Sequence, residues 1–212
     1  MKPKIKVCGM KYAANIAAVA DLQPNYLGFI FYEKSPRYIS EVSAELIKYV
    51  PQEIKTVGVF VDEDLETVKA LVTKHNLKAV QLHGKEDVSY CKEMKQIGVE
   101  VIKAFGIHPD FDFSALEDYG SEVDYFLFDT QTPAHGGSGK VFDWTLLNNY
   151  QLSKPYFLSG GIDLGHVEQI KAIKDERLYA IDINSKFEQE PGLKDIARLK
   201  EFFKELNSLP LV

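Results

Sequence analysis

Short apolar runs recur along the chain, and longer segments whose apolar residues repeat every three or four positions lie between them. Short runs rich in β-branched and aromatic side chains are typical of buried strands. Their alternation with amphipathic segments is typical of a parallel sheet covered by helices. Eight strands are predicted, at residues 4–8, 26–31, 55–61, 78–82, 99–105, 125–129, 155–159 and 179–183.

Three of the segments between or after these strands carry clear helical signals. Apolar residues at helical spacing follow Asp64, which is a predicted N-cap. The same spacing recurs at Val88, Cys91 and Met94, so Cys91 is expected in the core. Residues 193–206 form the strongest pattern, with one broad apolar stripe and with Lys194 on the polar side.

Eight strands, each followed by a helical segment, favour a closed (β/α)8 barrel. An open, doubly wound sheet of similar length would show the same periodicity, so closure is a prediction. No Pro- or Ser-rich linker divides the chain, and residues 1–212 are expected to form a single domain. The one extended polar loop, residues 130–140, is glycine-rich and follows the sixth strand, on the face where barrels carry their chemistry.

Composition narrows the class of partner. The formal net charge of −6 argues against nucleic-acid or acidic-membrane binding, because those need a basic surface. The two cysteines, Cys8 and Cys91, lack the spacing of a zinc site or a disulfide framework, and no apolar stretch is long enough to cross a membrane. A cytoplasmic protein without a metal site is expected.

Chemistry is expected where the strands end, because barrels place their active sites at the carboxyl ends of the strands. Cys8 and Asp129 follow well-separated strands, and inside a closed barrel they can face each other as a proton-transfer pair. The same rule selects further candidates, which are Phe31, Asp62, Gln81, His83, Lys103, Ser159, Asp182 and Asn184. His83 has no partner histidine at metal-ligand spacing, so a structural, hydrogen-bonding role is expected for it.

A phosphate site is predicted between the last two loops. Gly160 and Gly161 follow the seventh strand, whereas Ser185 and Lys186 follow the eighth. Glycine lets the backbone approach an anion closely, and barrels often hold a phosphate at this place.

Taken together, these segments resemble the phosphoribosylanthranilate isomerase family, and the likeness runs from end to end. The motifs that carry it are Lys6-Val7-Cys8-Gly9-Met10, Leu27-Gly28-Phe29-Ile30-Phe31, Ser35-Pro36-Arg37, Gly58-Val59-Phe60-Val61, Val80-Gln81-Leu82-His83-Gly84, Phe128-Asp129, Phe142-Asp143-Trp144 and Leu158-Ser159-Gly160-Gly161-Ile162. Eight short motifs in the right order are specific, where a lone Cys-Gly pair would not be.

The resemblance implies a cofactor-free Amadori rearrangement of N-(5'-phosphoribosyl)anthranilate to 1-(2-carboxyphenylamino)-1-deoxyribulose 5-phosphate, in tryptophan biosynthesis. It implies that Asp129 is the general acid that opens the sugar ring and that Cys8 is the base that removes the C2' proton. It places Arg37 against the anthranilate carboxylate. Gln81 and Asp182 are assigned to substrate binding, although Asp182 could also have a structural role.

One position departs from the family pattern. Where the family commonly has Ser-Gly-Val-Glu after the eighth strand, this chain has Ser185-Lys186-Phe187-Glu188. Lys186 removes a glycine but adds a cation, so the phosphate role of Ser185 and Lys186 is less secure than that of Gly160 and Gly161.

Two alternatives remain open, with a monomer or a homodimer expected in each case. The first is the histidine-pathway aminoaldose isomerase, which would use a carboxylate base at the end of the first strand, where this chain has Cys8. The second is a catalytically silent barrel that binds a phosphorylated metabolite.

Overall fold

A computed structural model describes residues 2–130 and 141–208. Eight parallel strands pair in chain order, and the last pairs with the first, so the sheet is a closed barrel. This closure confirms the predicted (β/α)8 barrel. The strands are β1 (Lys4–Val7), β2 (Tyr26–Ile30), β3 (Lys55–Phe60), β4 (Ala79–Leu82), β5 (Glu100–Ile107), β6 (Tyr125–Thr130), β7 (Tyr156–Leu158) and β8 (Leu178–Ile183).

The strands separate two apolar clusters, because successive side chains of a strand point to opposite faces. The cluster inside the barrel contains Tyr26, Val57, Ala79, Ile102, Ala104, Leu127, Phe157 and Ala180. A larger cluster lies between the strands and the outer layer and includes Val7, Leu27, Phe126 and Leu199. The interior is thus a packed core with polar side chains near both of its ends, Gln81 and Asp182 at the end that forms the site and Glu100 with the Tyr26 hydroxyl at the other.

Five α-helices lie in the outer layer of the described residues. They are α1 (Ala13–Ala20), α2 (Leu65–His75), α3 (Val88–Gln96), α4 (Val167–Ala172) and α5 (Ile196–Asn207). Asp64 caps α2 as predicted, since its side chain accepts from the Thr67 N–H. Cys91 and Met94 are buried on α3, which confirms Cys91 as a core residue. No helix in these ranges has the length and apolar character needed to cross a membrane.

The outer layer is less regular than predicted. The segment between β2 and β3 forms only turns over residues 44–49, so the expectation of a helix after every strand is wrong here. Pro51 lies just beyond these turns and disfavours a helical conformation at Val50, which leaves too short a stretch for a stable helix. In their described residues, the connections after β5 and β6 contain 3₁₀ helices instead of α-helices, at Phe113–Tyr119 and Trp144–Asn149.

The predicted start of the last helix is also wrong. Helix α5 begins at Ile196, because the Asp195 side chain accepts from the N–H groups of Ala197 and Arg198. The two residues before Asp195 form strand β10 (Leu193–Lys194), which pairs antiparallel with β9 (Glu188–Glu190). Lys194 therefore belongs to a hairpin, and it is 1% exposed instead of lying on a solvated helix face.

The glycine-rich loop predicted over residues 130–140 lies outside the described residues, apart from Thr130. Where the chain is described again, the Phe142 N–H donates to Thr130 Oγ1 at 3.1 Å. The two ends of this connection therefore lie together at the carboxyl end of β6.

Candidate active site

Cys8 lies at the carboxyl end of β1, inside the barrel. Its backbone N–H donates to the Ile183 carbonyl oxygen at 2.9 Å, so the pairing of β1 with β8 continues to the cysteine. The side chain is 4% exposed. A Cβ on Gly28 of the neighbouring strand would lie 2.7 Å from Cys8 Sγ, so glycine at this position leaves the thiol its space.

A buried ion pair lies beside this thiol. Lys6 Nζ contacts Asp182 Oδ2 at 2.8 Å, across the β1–β8 pairing, and the lysine side chain is 0% exposed. Burial acts to lower the pKa of Lys6, but Asp182 and Cys8 together outweigh it and raise that pKa, so Lys6 is an ammonium ion. The other carboxylate oxygen, Asp182 Oδ1, is buried and has no hydrogen-bond partner among the described residues.

Opposing influences act on the Cys8 thiol. Burial raises the pKa of Cys8 above its usual range, because a thiolate loses hydration inside the barrel. The positive charges of Lys6 and Lys194 act in the opposite direction, whereas the negative charge of Asp182 adds to the effect of burial. The site thus holds a desolvated thiol with two cations placed to stabilise its thiolate.

Asp129 lies on β6 and contacts a histidine. His83 Nε2 is 3.2 Å from Asp129 Oδ2, and His83 Nδ1 is 2.7 Å from Gln81 Nε2. The other aspartate oxygen, Oδ1, accepts from the Thr130 N–H at 2.7 Å. A neutral imidazole can donate from one nitrogen and accept at the other. His83 can therefore form a hydrogen bond with Asp129 whether the aspartate is a carboxylic acid or a carboxylate.

Asp182 lies within the electrostatic reach of both predicted catalytic groups. The charges of Asp129 and His83 act on its carboxylate, and so does the charge of Lys6, which also acts on Cys8. The structure therefore places the predicted pair at the same end of the barrel, with Asp182 in electrostatic reach of both. The arrangement offers a thiol and a carboxyl for two successive proton transfers.

The predicted phosphate residues lie in two adjacent loops. Gly160 and Gly161 follow β7 with φ angles of +94° and +65°, a region that favours glycine. A Cβ on Gly160 would lie 2.6 Å from Thr130 N and 2.7 Å from Asp129 Oδ1, so this glycine lets the loop pass close to the acid. The N–H of Gly165, in the first turn of the next helix, donates to Asp163 Oδ1 at 2.9 Å, so this N–H is already occupied within its own turn.

Ser185 and Lys186 lie in a short 3₁₀ helix, Ser185–Phe187, directly after β8. Because β7 and β8 are paired neighbours, the loop of Ser185 and the loop of Gly160 leave the same edge of the barrel. Both residues are partly exposed, as a contact surface for a soluble ligand requires.

Arg37 does not stand alone beside the site. Its Nε donates to both carboxylate oxygens of Glu188, at 2.9 and 3.0 Å, and its Nη2 donates to Glu188 Oε2 at 2.6 Å. Lys194 Nζ donates to the same carboxylate, at 2.6 Å from Oε1. Burial acts to raise the pKa of Glu188, but Arg37 and Lys194 outweigh it and hold that pKa below its usual range.

Three charged residues of this region were not predicted from the sequence as functional. Lys6 lies inside a motif that carries the family resemblance, and Glu188 ends the Ser185–Glu188 segment that departs from the family pattern at Lys186, but neither received a role. Lys194 follows a helical pattern in the sequence and gave no signal at all. In residues 2–130 and 141–208, no three His, Cys, Asp or Glu side chains are grouped as a metal site would require.

Comparisons with known proteins agree on one family. A family model described as N-(5'phosphoribosyl)anthranilate (PRA) isomerase matches residues 5–205. The N-(5'-phosphoribosyl)anthranilate isomerase of Parabacteroides distasonis is 43% identical over 204 residues, which are 95% of this chain and 92% of the relative.

Solved structures give the same result. The crystal structure of phosphoribosyl anthranilate isomerase from Thermus thermophilus is similar with a TM-score of 0.87 and 27% identity, covering 98% of this chain and 100% of the other. A second structure, of phosphoribosyl anthranilate isomerase in complex with reduced 1-(o-carboxyphenylamino)-1-deoxyribulose 5-phosphate, has a TM-score of 0.79 and 31% identity, with the same coverage. The likeness thus extends over nearly the whole of each chain.

Proposed function

The chain belongs to the N-(5'-phosphoribosyl)anthranilate isomerase family, and from that premise we propose that Cys8 and Asp129 carry the two proton transfers of its reaction. The protein is a phosphoribosylanthranilate isomerase of tryptophan biosynthesis. This membership favours the isomerase over the histidine-pathway enzyme and the silent barrel.

Asp129 acts first in the proposed Amadori rearrangement. Its carboxyl group gives a proton to the ring oxygen of the sugar, the ring opens, and the anthranilate nitrogen becomes part of a Schiff base. His83, 3.2 Å away, supports the carboxyl before the transfer and stabilises the carboxylate after it.

Cys8 acts second. The thiolate removes the C2' proton, which the adjacent Schiff base has made acidic, and the enolamine that forms tautomerises to the ketone. Lys6 and Lys194 support this role because their charges stabilise the thiolate against the penalty of burial. Asp182 holds Lys6 in place, and its unpaired Oδ1 is available to a sugar hydroxyl.

The remaining groups bind the substrate. Gln81 lines the same end of the barrel and contributes a buried amide oxygen, Oε1, without a partner in the described part of the chain. Arg37 receives the anthranilate carboxylate, for which a planar guanidinium is a geometric match. The phosphate lies against the backbone of Gly160 and Gly161 and against Ser185 and Lys186, with the Lys186 ammonium as a cationic contact.

A cytoplasmic location and a monomeric or homodimeric state belong to the same proposal. Both cysteines are free, and free thiols suit a reducing compartment.

The observation that carries the proposal is that Cys8 and Asp129 lie at one end of a closed barrel, both in electrostatic reach of the buried Asp182. The test is a fluorescence assay that follows the loss of freshly prepared N-(5'-phosphoribosyl)anthranilate. We expect Cys8→Ala and Asp129→Asn each to lower kcat by about 10²- to 10⁴-fold, the usual contribution of a general acid or base.

Cys91→Ala is the matched control, because it removes the other buried thiol, on α3 and away from the strand ends. This variant should keep a kcat close to that of the wild type. A folded Cys8→Ala or Asp129→Asn protein, judged by far-UV circular dichroism, with near wild-type kcat would refute the role of that residue.

A further inference from the structure

Arg37, Glu188 and Lys194 form a buried charge triad next to the catalytic cysteine. Their side chains are 13%, 4% and 0% exposed. Arg37 also packs against the residue after the cysteine, since a Cβ on Gly9 would lie 2.6 Å from Arg37 Cδ. The triad therefore borders the place where the substrate reacts.

Glu188 occupies only one edge of the guanidinium. It accepts from Nε and Nη2, the lateral edge, and Arg37 Nη1 has no hydrogen-bond partner within the described ranges. A guanidinium offers donors along more than one edge, so the edge formed by Nη1 and Nη2 stays available to a carboxylate. Glu188 thus fixes the plane of Arg37 and decides which edge faces the ligand.

Glu188 alone would also weaken that binding site. One guanidinium paired with one carboxylate has no net charge, and a second carboxylate would gain little from it. Lys194 changes this balance, because two cations and one anion give the triad a net charge of +1.

Three elements fix Lys194 at this position. Its Nζ donates to Asn184 Oδ1 at 2.7 Å, after β8, as well as to Glu188. On α1, Asn15 bonds both backbone groups of Lys194: Oδ1 accepts from its N–H at 2.8 Å, and Nδ2 donates to its carbonyl oxygen at 2.9 Å. An ammonium this deeply buried is costly to hold, and simple packing of the hairpin does not require a charge there.

We propose that Lys194 is a positioning residue for substrate selection, which acts through Glu188 and Arg37 to make this corner of the site prefer a substrate that carries a carboxylate on its aromatic amine. The inference rests on the proposed function, because it assumes that Arg37 receives the anthranilate carboxylate.

The charge of the triad should also make the KM depend on pH. Burial is the main cause that lowers the pKa of Lys194 to about 8, with Arg37 acting in the same direction and with Glu188 and Cys8 opposing it. Its other close contacts, Asn15 and Asn184, are neutral. Above pH 8 the lysine loses its proton and the triad loses its net charge, whereas the substrate carboxylate and phosphate keep theirs, with pKa values of about 4 and 6. The KM for a carboxylate substrate should therefore rise with pH in this range.

The experiment compares two substrates that differ in one group. Steady-state kinetics are measured with N-(5'-phosphoribosyl)anthranilate and with N-(5'-phosphoribosyl)aniline, which lacks only the carboxylate, at pH values from about 7 to 9 around the Lys194 pKa. The proteins are the wild type, Lys194→Met, which removes the charge, and Lys194→Arg, which keeps it.

For the wild type and the anthranilate substrate, we expect KM to rise about tenfold above pH 8, as one unit charge is lost at close range. Lys194→Met should show that higher KM at every pH, and Lys194→Arg should keep the low KM throughout. With the aniline substrate, KM should be the same for all three proteins.

An equal rise in KM for both substrates would show a merely structural role and overturn the inference. So would an unchanged KM for the anthranilate substrate, even with a fall in kcat, because only the effect of Lys194 on Cys8 would then remain. If Lys194→Met does not fold, the wild-type and Lys194→Arg pH profiles decide the question. A folded wild type that converts neither substrate refutes the proposed function itself, and the inference with it.

Discussion

At the scale of single residues, the site depends on charges held inside the barrel. Lys6 lies two residues before Cys8 in the sequence, and its charge acts on the Cys8 thiol. Its side chain is fully buried and paired with Asp182. A buried pair of this kind adds little to stability by itself but is costly to break, because the partner left behind is an uncompensated charge. The functional effect of the Lys6–Asp182 pair is electrostatic, because its charges act on the pKa of Cys8.

The first consequence is the titration of Cys8. Burial raises its pKa, so the ultraviolet absorbance of its thiolate should appear at a higher pH than that of a free thiol. Lys6→Gln should move this titration further up, because the opposing charge is gone, and should lower the free energy of unfolding by about 3–5 kcal/mol.

Lys6→Arg keeps the charge and is the control, and Cys8→Ser identifies the signal. A Lys6→Gln protein that is folded and titrates like the wild type would show that Lys6 has no influence on the thiol.

Sequence reasoning selected the proposed reactive groups of this site but not the charged residues around them. Strand ends and family motifs both mark Cys8 and Asp129, and the structure places them at the same end of the barrel. Glu188 and Lys194 were not, because their pairing depends on a hairpin after β8 that has no local signature. The sequence pattern alone does not distinguish a charged side chain that is buried in the fold from one on a solvated helix face.

At the scale of elements, the turn after β7 has to pass over the end of β6. Gly160 makes this possible through its positive φ and its missing side chain. The same element illustrates what sequence can predict. A Gly-Gly pair after an apolar run marks a turn, whereas its contact with Asp129 follows only from barrel closure.

Gly160→Ala should therefore disturb both stability and catalysis. We expect the free energy of unfolding to fall by more than the approximately 1–2 kcal/mol that a left-handed alanine costs, because the new Cβ also meets Thr130 and Asp129. Displacing Asp129 should lower kcat by roughly a hundredfold.

Gly98→Ala is the matched control for this test. Gly98 has a φ of +82°, but a Cβ there meets nothing within 4 Å. In urea unfolding, Gly98→Ala should lose only the stability that a left-handed alanine costs. Its kcat should be unchanged. Equal losses of stability and of kcat in the two variants would contradict the role of close approach.

At the scale of the whole molecule, hydrogen bonds of Arg177 link two of the connections that lead into neighbouring strands. Arg177 Nη1 donates to the carbonyl oxygens of Tyr150 and Leu152, at 2.8 and 2.9 Å, and its Nε donates to Asp175 at 2.8 Å. These contacts tie the connection before β8 to the one before β7. Burial acts to raise the pKa of Asp175, but Arg177 outweighs it and holds that pKa below its usual range.

The Asp175–Arg177 pair should make the free energy of unfolding depend on pH. A carboxylate with a depressed pKa stabilises the fold above its unfolded pKa of about 3.9, and the stabilisation disappears as the pH falls through the folded pKa. Asp175→Asn should thus be less stable than the wild type at neutral pH, with a difference that shrinks below about pH 4.

Urea unfolding midpoints across this range measure the effect. Asp118→Asn, at an exposed position, is the control and should differ little from the wild type at any pH. A deficit of Asp175→Asn that stays constant as the pH falls would contradict the assignment.

The closure of β1 on β8 also orders events during synthesis. Cys8, the proposed base, is made shortly after Lys6, whereas Asp182 is made 176 residues after its partner Lys6, and Lys194 is made later still. A nascent polypeptide therefore carries an unassisted thiol until β8 and the hairpin after it have been made, and catalytic competence would report that these distant segments have joined.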